Sequence, residues 1–537
     1  MVEIISAFLN MRKFISIVLF IVFFVSCKKK EAFYAYSETV SLNKTEKESN
    51  SHSIDSTLLL SFSNSQLTSF YRMNHFQTVW NSAENRKSVA TILLKANEEG
   101  LEAEDYQGEE LLEIESRVGT FSEKELVNYD ISITLLVQKY LSDMNTGKLN
   151  PRDLYDDWDL KTPVIDSNKY LTDAINGDSL KAVFEKMRPT HLVYKRLKNA
   201  LSLLNTYPKD TLKNISLDAK FKKDDKNPAL LDIKKKLIYW NDLKAKDSLT
   251  QIYDEETEKA IKKFQIRHGL ASDGIIGKAT IQALNVSKEE RQKQIIANLE
   301  RWRWFPKEMG ERYLIINIPE YKLYAVHKKD TLRTHNIIVG TLQRKTPILN
   351  SKLSYAVFNP TWTVPPTILK EDIIPETIKN RNYLKKKNIK IYDFNNNEVN
   401  VWSWNPAKAS NYKYVQSPGT FNSLGMVKII FPNHYSVYLH DTNYREHFQK
   451  TDRSLSSGCI RVQNPLELTE YLLDDKEKWN LEKITETLKT EKTQNANIKN
   501  DVYIYQLYWT AWSDKNMLQF RPDIYKLDSE LYSKLRD

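Results

Sequence analysis

The hydrophobic spacing of this chain changes period near Glu311, and that break limits the architecture more than any other feature. Before it, apolar residues recur at helical spacing. Val89, Ile92, Leu93 and Ala96 fall at i, i+3, i+4 and i+7, and "ISITLLVQKYLSDM" continues in that mode until "NTGKLNP" stops it. After it, "RYLIINIPEYKLYAVHKKDTLRTHNIIVG" alternates as strands do, with "HKKD" a hairpin turn. Helices followed by strands predict a multidomain α+β chain. A length of 537 residues allows roughly three domains. With 41% apolar residues, packed cores are available and a disordered chain is excluded.

The amino terminus carries a separate signal. In "MRKFISIVLFIVFFVSCKKK", Arg12 and Lys13 precede an apolar run from Phe14 to Val25, then Ser26-Cys27. The run is shorter than the ~20 residues of a spanning helix and reads as an export signal. It resembles a bacterial lipoprotein signal, which implies acylation of Cys27, a membrane anchor, a signal over 1–27 and a flexible tether over 28–54. An uncleaved short anchor and a plain secretory signal are the alternatives. Each puts the rest of the chain outside the cytoplasm, and the lipoprotein reading makes it a membrane-anchored periplasmic protein. If lipid consumes Cys27, the second of the two cysteines, Cys459, is a lone thiol. The net charge of +10 favours anionic surroundings. No block of alternating Arg and aromatic residues marks a nucleic-acid groove, so nucleic acid is not an expected partner.

Between these regions lies "YDEETEKAIKKFQIRHGLASDGIIGKATIQALN". Ala260, Ile261, Phe264 and His268 share a helical stripe, Gly269 ends that helix, and Lys278 to Leu284 begins another. The stretch resembles the peptidoglycan-binding-like domain, a three-helix unit that "LDIKKKLIYWNDL" would complete. His268 is expected to be structural.

The chemistry concentrates around "SLSSGCIRVQNP", Ser454 to Pro465. A thiol attacks a carbonyl as thiolate, and a nearby imidazole can take its proton. Among His434, His440 and His447, His440 ends the alternating run "HYSVYL" at a sheet edge, nineteen residues before Cys459. Gly458 permits a sharp turn, so the amides of Ser457, Gly458 and Cys459 can converge on an oxyanion. Arg461 shares the face of Cys459 in an extended segment, where it either binds a substrate carboxylate or braces the turn.

"HDT…SLSSGCIRVQNP" resembles the signature of L,D-transpeptidases with the YkuD catalytic fold. The order of signal, helical region, peptidoglycan-binding-like unit, "NLERWRWFP", β domain and terminal "YWTAW…FRPDIY" resembles that of the large YcbB-like members. The resemblance implies a helical scaffold over 55–220 and the small three-helix domain over 221–290. It further implies a mostly β catalytic domain over 291–487 with a lid inserted at about 370–415, then a linker and closing hairpin over 488–537. It implies Cys459 as nucleophile, His440 as general base and acid, and the Asp441 carbonyl as orienter of the imidazole. Tyr438, Trp362 and Asn464 join Arg461 as expected substrate-binding residues. The implied reaction is 3→3 cross-linking of peptidoglycan stems with loss of D-alanine, without metal or cofactor, and carbapenems are implied inhibitors. Water as acceptor would give a carboxypeptidase, and a lipoprotein amine an attachment enzyme. A zinc peptidase is the competing enzyme class, but the three histidines are spaced by six and seven residues rather than four. A non-catalytic wall-binding lipoprotein is the non-enzymatic alternative.

Overall fold

The computed structural model describes residues 51–537 except 157, 161–164, 178–179 and 217–219. The expected signal, Cys27 and the tether as far as residue 50 lie outside the described residues. Ile54, placed in the tether by the sequence, is buried, and Ser53 bridges to Gln77. No helix among the described residues is long and apolar enough to cross a membrane.

The chain forms two compact units, one built from residues up to Lys87 together with Glu110–Leu136, the other from Ser88–Glu109 and Val137–Asp537. The first is organised on Asp130. Its carboxylate accepts from the Tyr71 hydroxyl at 2.7 Å and from the amides of Val79 and Trp80 at 2.8 and 2.7 Å. Burial raises this carboxyl to about 7.

In the second unit the helices Ser167–Asn176, Leu180–Met187 and Leu192–Asn205 precede the small helical module Ala229–Tyr239, Glu255–Arg267 and Lys278–Asn285. His268 caps the second helix of that module. It is buried, with Nδ1 2.8 Å from the Phe264 carbonyl and its ring stacked 3.8 Å from that of Phe264. The helix Lys288–Arg303 follows, capped by Ser287, whose side chain accepts from the Glu290 amide. Its last turns, "NLERWR", bury charged and apolar residues alike. Glu300, Arg301, Trp302 and Arg303 are all at most 1% exposed. Part of the polar set is paired, as burial favours, while Arg301 Nε and Nη2, Trp302 Nε1 and Arg303 Nε have no hydrogen-bond partner among the described residues. Arg303 Nη1 donates to Glu300 at 2.8 Å, and Glu300 accepts from the Leu149 amide at 2.9 Å. Arg303 Nη2 reaches the Glu99 carbonyl and the Tyr194 hydroxyl.

Beyond Glu311 the alternating stretch forms strands. Arg312–Asn317 pairs antiparallel with Lys322–His327, which pairs antiparallel with Asp330–Gly340. The turn between the last two has both central lysines, Lys328 and Lys329, at positive φ of 48° and 77°, the twist that a two-residue hairpin requires. The large sheet then runs from Asp330–Gly340 through Ile460–Val462, Leu439–His440 and Val427–Ile430 to Tyr355–Phe358. On its other side Tyr503–Leu507 pairs parallel with Arg312–Asn317, so the carboxy-terminal region completes the sheet.

The inserted segment is a subdomain in its own right. Trp362–Thr363, Lys413–Gln416, Ile389–Tyr392 and Glu398–Val399 form a separate four-stranded sheet over a core that includes Trp362, Ile373, Leu384, Ile391, Trp404 and Tyr414. Its first strand therefore starts before the expected boundary near 370. At the chain end, Ala511–Asp514 and Met517–Phe520 make the expected hairpin, and a helix that the sequence reading did not anticipate, Leu527–Arg536, packs on Lys288–Arg303. The "YWTAW" aromatics are core, with Trp509 5.3 Å from Trp302 between ring centres.

Candidate active site

Nineteen residues of sequence separation become adjacency in the sheet. The strands Leu439–His440 and Ile460–Val462 run parallel, with Leu439 opposite Ile460 and His440 opposite Arg461. The Ile460 amide donates to the Tyr438 carbonyl at 3.2 Å, extending the ladder so that Tyr438 stands opposite Cys459. Directly opposed residues share a face and successive residues alternate. Leu439, Ile460 and Val462 are therefore turned to the core, where all three are fully buried. The opposite face carries Tyr438, His440, Cys459 and Arg461, with Cys459 the diagonal neighbour of His440. Lys428 lies opposite His440 on the other side and joins the same face.

The turn before the nucleophile is held from several directions. Gly458 has φ +106°, and a Cβ there would come 3.2 Å from the Lys345 carbonyl oxygen. Ser456 Oγ donates to the Cys459 carbonyl at 2.6 Å and accepts from the Gly458 amide at 3.2 Å. This corrects the expectation that three amides converge on an oxyanion: the Gly458 N–H is already engaged, whereas those of Ser457 and Cys459 have no partner among the described residues. Thr346 Oγ1 donates to the Gly458 carbonyl at 2.9 Å, and the Thr346 amide donates to the Tyr525 hydroxyl at 3.0 Å. That hydroxyl in turn donates to the Gly340 carbonyl at 2.8 Å.

Burial sets the resting protonation. It pushes the half-buried Cys459 thiol up to about 11, opposed by the main chain and phenol of Tyr438 and by the Arg461 charge. Burial pushes His440 down to about 3, with Arg461 and Lys428 acting in the same direction and the Asp441 carbonyl opposing. That carbonyl lies beside the ring, although His440 Nδ1 has no hydrogen bond of full geometry. Near neutral pH both groups are therefore uncharged, a thiol beside an imidazole. Proton transfer creates an ion pair whose attraction is about 4 kcal/mol at 4 Å for an effective dielectric of 20. Because the thiol is raised, the nucleophile is protonated below its pKa and alkylation must increase with pH. The thiolate absorbance of wild type minus Cys459→Ala should titrate well above the ~8.5 of free cysteine, near 11. A midpoint below about 7, as in pre-formed thiolate pairs, would contradict this.

The remaining expected residues divide. Tyr438 lies against the sulfur, its ring centre 5.7 Å from that of His440, and packs on the core of the inserted subdomain. Trp362, within that core, donates its indole N–H towards the Tyr438 hydroxyl. Arg461 is half-buried and, like Lys428, forms no ion pair among the described residues. Asp441 directs its carboxylate away from the pair, accepting from the Met426 amide and from Arg445, both at 2.9 Å. Asn464 is not brought into the cluster: it is exposed, with φ 51°, at the turn into the helix Pro465–Leu473. Of the other histidines, His434 is exposed near Asp159 and His447 stacks on Tyr444. Sequence reasoning missed Lys428, Ser456, Thr346, Tyr525 and Arg344. Lys428 was findable as the lone cation within the apolar stretch "MVKIIF".

Residues 311–487 match the L,D-transpeptidase catalytic domain of the YkuD family, residues 226–284 a putative peptidoglycan binding domain, and residues 65–201 a scaffold domain. A putative L,D-transpeptidase of Haemophilus influenzae is 34% identical over 270 residues, which cover 49% of this chain and 54% of that protein. The chain thus spans about half the length of the curated relative it matches. Among solved structures, an L,D-transpeptidase from Xylanimonas cellulosilytica is 13% identical, with 55% of this chain and 100% of that one covered and a TM-score of 0.17. An L,D-transpeptidase from Stackebrandtia nassauensis is 12% identical, with 56% and 97% covered and a TM-score of 0.21. The chain carries a YkuD-type L,D-transpeptidase catalytic domain together with a peptidoglycan-binding domain.

Proposed function

We propose that this protein is a cell-wall transpeptidase acting outside the cytoplasm, with Cys459 as nucleophile and His440 as its base and acid. The supporting observation is their placement as diagonal neighbours on adjacent parallel strands, in a domain matched to L,D-transpeptidases. Cys459 Sγ attacks the carbonyl that joins the diamino acid of a tetrapeptide stem to its terminal D-alanine, while His440 takes the thiol proton. The C–N bond breaks, D-alanine leaves with that proton, and a thioester remains. The side-chain amine of a second stem then attacks, giving its proton to His440 and regenerating the thiol as the 3→3 link forms. The free amides of Ser457 and Cys459 are the candidate oxyanion donors, each such donor being worth about 3–4 kcal/mol in the transition state. Lys428 and Arg461, two cations without carboxylate partners beside the pair, suit a substrate rich in carboxylates. A carbapenem presents a strained carbonyl to the same sulfur. Acylation of Cys27 as a membrane anchor completes this reading.

The test is incubation of the purified protein with tetrapeptide stems. Free D-alanine and cross-linked dimer are expected, whereas tripeptide alone would identify a carboxypeptidase. His440→Ala should slow acylation by about 10²–10⁴-fold, because the raised thiol loses its proton acceptor. Wild-type rates in that variant would remove His440 from the mechanism.

A further inference from the structure

Across the nucleophile turn lies the segment "GTLQRKT", Gly340 to Thr346, and its arginine reaches in two directions. Arg344 Nη1 donates to the Ser457 hydroxyl at 2.9 Å and to Asp372 at 2.7 Å. Nη2 donates to Glu371 at 2.6 Å and to the other oxygen of Asp372 at 2.9 Å, while Nε reaches Glu371 at 3.1 Å. Glu371 and Asp372 lie in Leu369–Ile373, part of the inserted subdomain. Ser457 is two residues before the nucleophile. One guanidinium thus joins the insert to the turn that carries Cys459.

Lys345 and Thr346, next to this arginine, brace the same turn. The Lys345 carbonyl would stand 3.2 Å from a Cβ on Gly458, and Thr346 Oγ1 donates to the Gly458 carbonyl at 2.9 Å. The insert also reaches the site through Trp362 and Tyr438, the latter meeting the Cys459 sulfur and the Ile460 amide, whereas Arg344 alone among these contacts reaches Ser457. Bidentate arginine–carboxylate geometry gives this link directional strength that a single lysine contact would lack.

We propose that Arg344 is a positioning residue that latches the inserted subdomain to the nucleophile turn, so that the docking of that subdomain and the placement of Cys459 are coupled. This rests on the reading of Cys459 as nucleophile, and it concerns the regulation of that site. Glu371 and Asp372 are half exposed. The latch can therefore open to water, and it weakens as salt rises.

Hydrogen–deuterium exchange on the full chain tests the coupling directly. Arg344→Ala and the double variant Glu371→Gln/Asp372→Asn should each raise exchange about twofold to fivefold. The rise should appear both at 366–379 and at 456–459, with the central strands unchanged. Combining all three substitutions should add little to Arg344→Ala alone. Arg344→Lys should restore part of the protection. The surface carboxylate variants keep the test valid if Arg344→Ala folds poorly. Faster exchange in the insert without any change at 456–459, or additive effects of the two sets of substitutions, would overturn the latch. A wild-type protein that releases no D-alanine from stems yet shows this coupling would refute the function and leave the latch standing.

Discussion

Cys459→Ala is expected to reduce D-alanine release from tetrapeptide stems by about 10⁴–10⁶-fold, the scale seen when a covalent nucleophile is removed. The fold should survive. Cys459 is half-buried, and its carbonyl, not its sulfur, holds the hydrogen bond from Ser456 that fastens the turn. Removing one sulfur from a half-buried side chain should change the unfolding free energy by no more than about 1 kcal/mol. A serine replacement separates size from chemistry. It keeps the volume and hydrogen-bonding capacity but has a much higher pKa than a thiol, and His440 is itself a weak base here. Turnover in Cys459→Ser within tenfold of wild type would show that the sulfur is not the attacking atom.

The largest effect on stability is expected far from the sulfur, in Arg303→Ala. The substitution leaves the Glu300 carboxylate at 0% exposure without its counter-ion. It also strips the Glu99 carbonyl and the Tyr194 hydroxyl of a donor. Breaking a buried ion pair in this way costs about 3–5 kcal/mol. Removing both charges, in Arg303→Met with Glu300→Gln, should cost less than Arg303→Ala, because no uncompensated charge stays in the core. Urea unfolding followed by tryptophan fluorescence suits the measurement, since Trp302 and Trp304 flank Arg303. A loss under about 1 kcal/mol for Arg303→Ala would mean that water reaches Glu300 and that this core is looser than its packing indicates.

The change of period near Glu311 was readable because a sheet with one buried face imposes alternation wherever it forms. Cys459 and His440 stood out only jointly, through an export signal, an unpaired thiol, a histidine at a strand end, Ser-Gly before the cysteine and Arg after it. Their parallel pairing was not readable. It depends on Asp330–Gly340 lying next to Ile460–Val462, a pairing across more than a hundred residues that leaves no local pattern. The same distance hides Arg344, whose partners lie 27, 28 and 113 residues away. The engagement of the Gly458 amide was hidden for another reason: Ser456 precedes the turn by a short step, and only its rotamer decides whether it caps that amide. Two misses did carry a signal. Leu527, Leu531 and Leu535 in "KLDSELYSKLRD" fall at i, i+4 and i+8 and mark the last helix. Ile389 and Ile391 alternate inside a stretch whose Asn and Lys content made it read as polar loop. Asn464 failed for the opposite reason: it lies beside the motif in sequence, but its left-handed turn carries it out of the cluster.

The covalent step offers the most direct test of the whole reading. Wild-type protein mixed with a tetrapeptide stem and quenched in acid should gain the mass of the tripeptidyl group. Proteolysis should place that mass on the peptide containing Cys459, and the adduct should be absent from Cys459→Ala and slow to form in His440→Ala. D-Alanine release with no acylated Cys459 peptide, or with the mass on any other residue, would contradict the account.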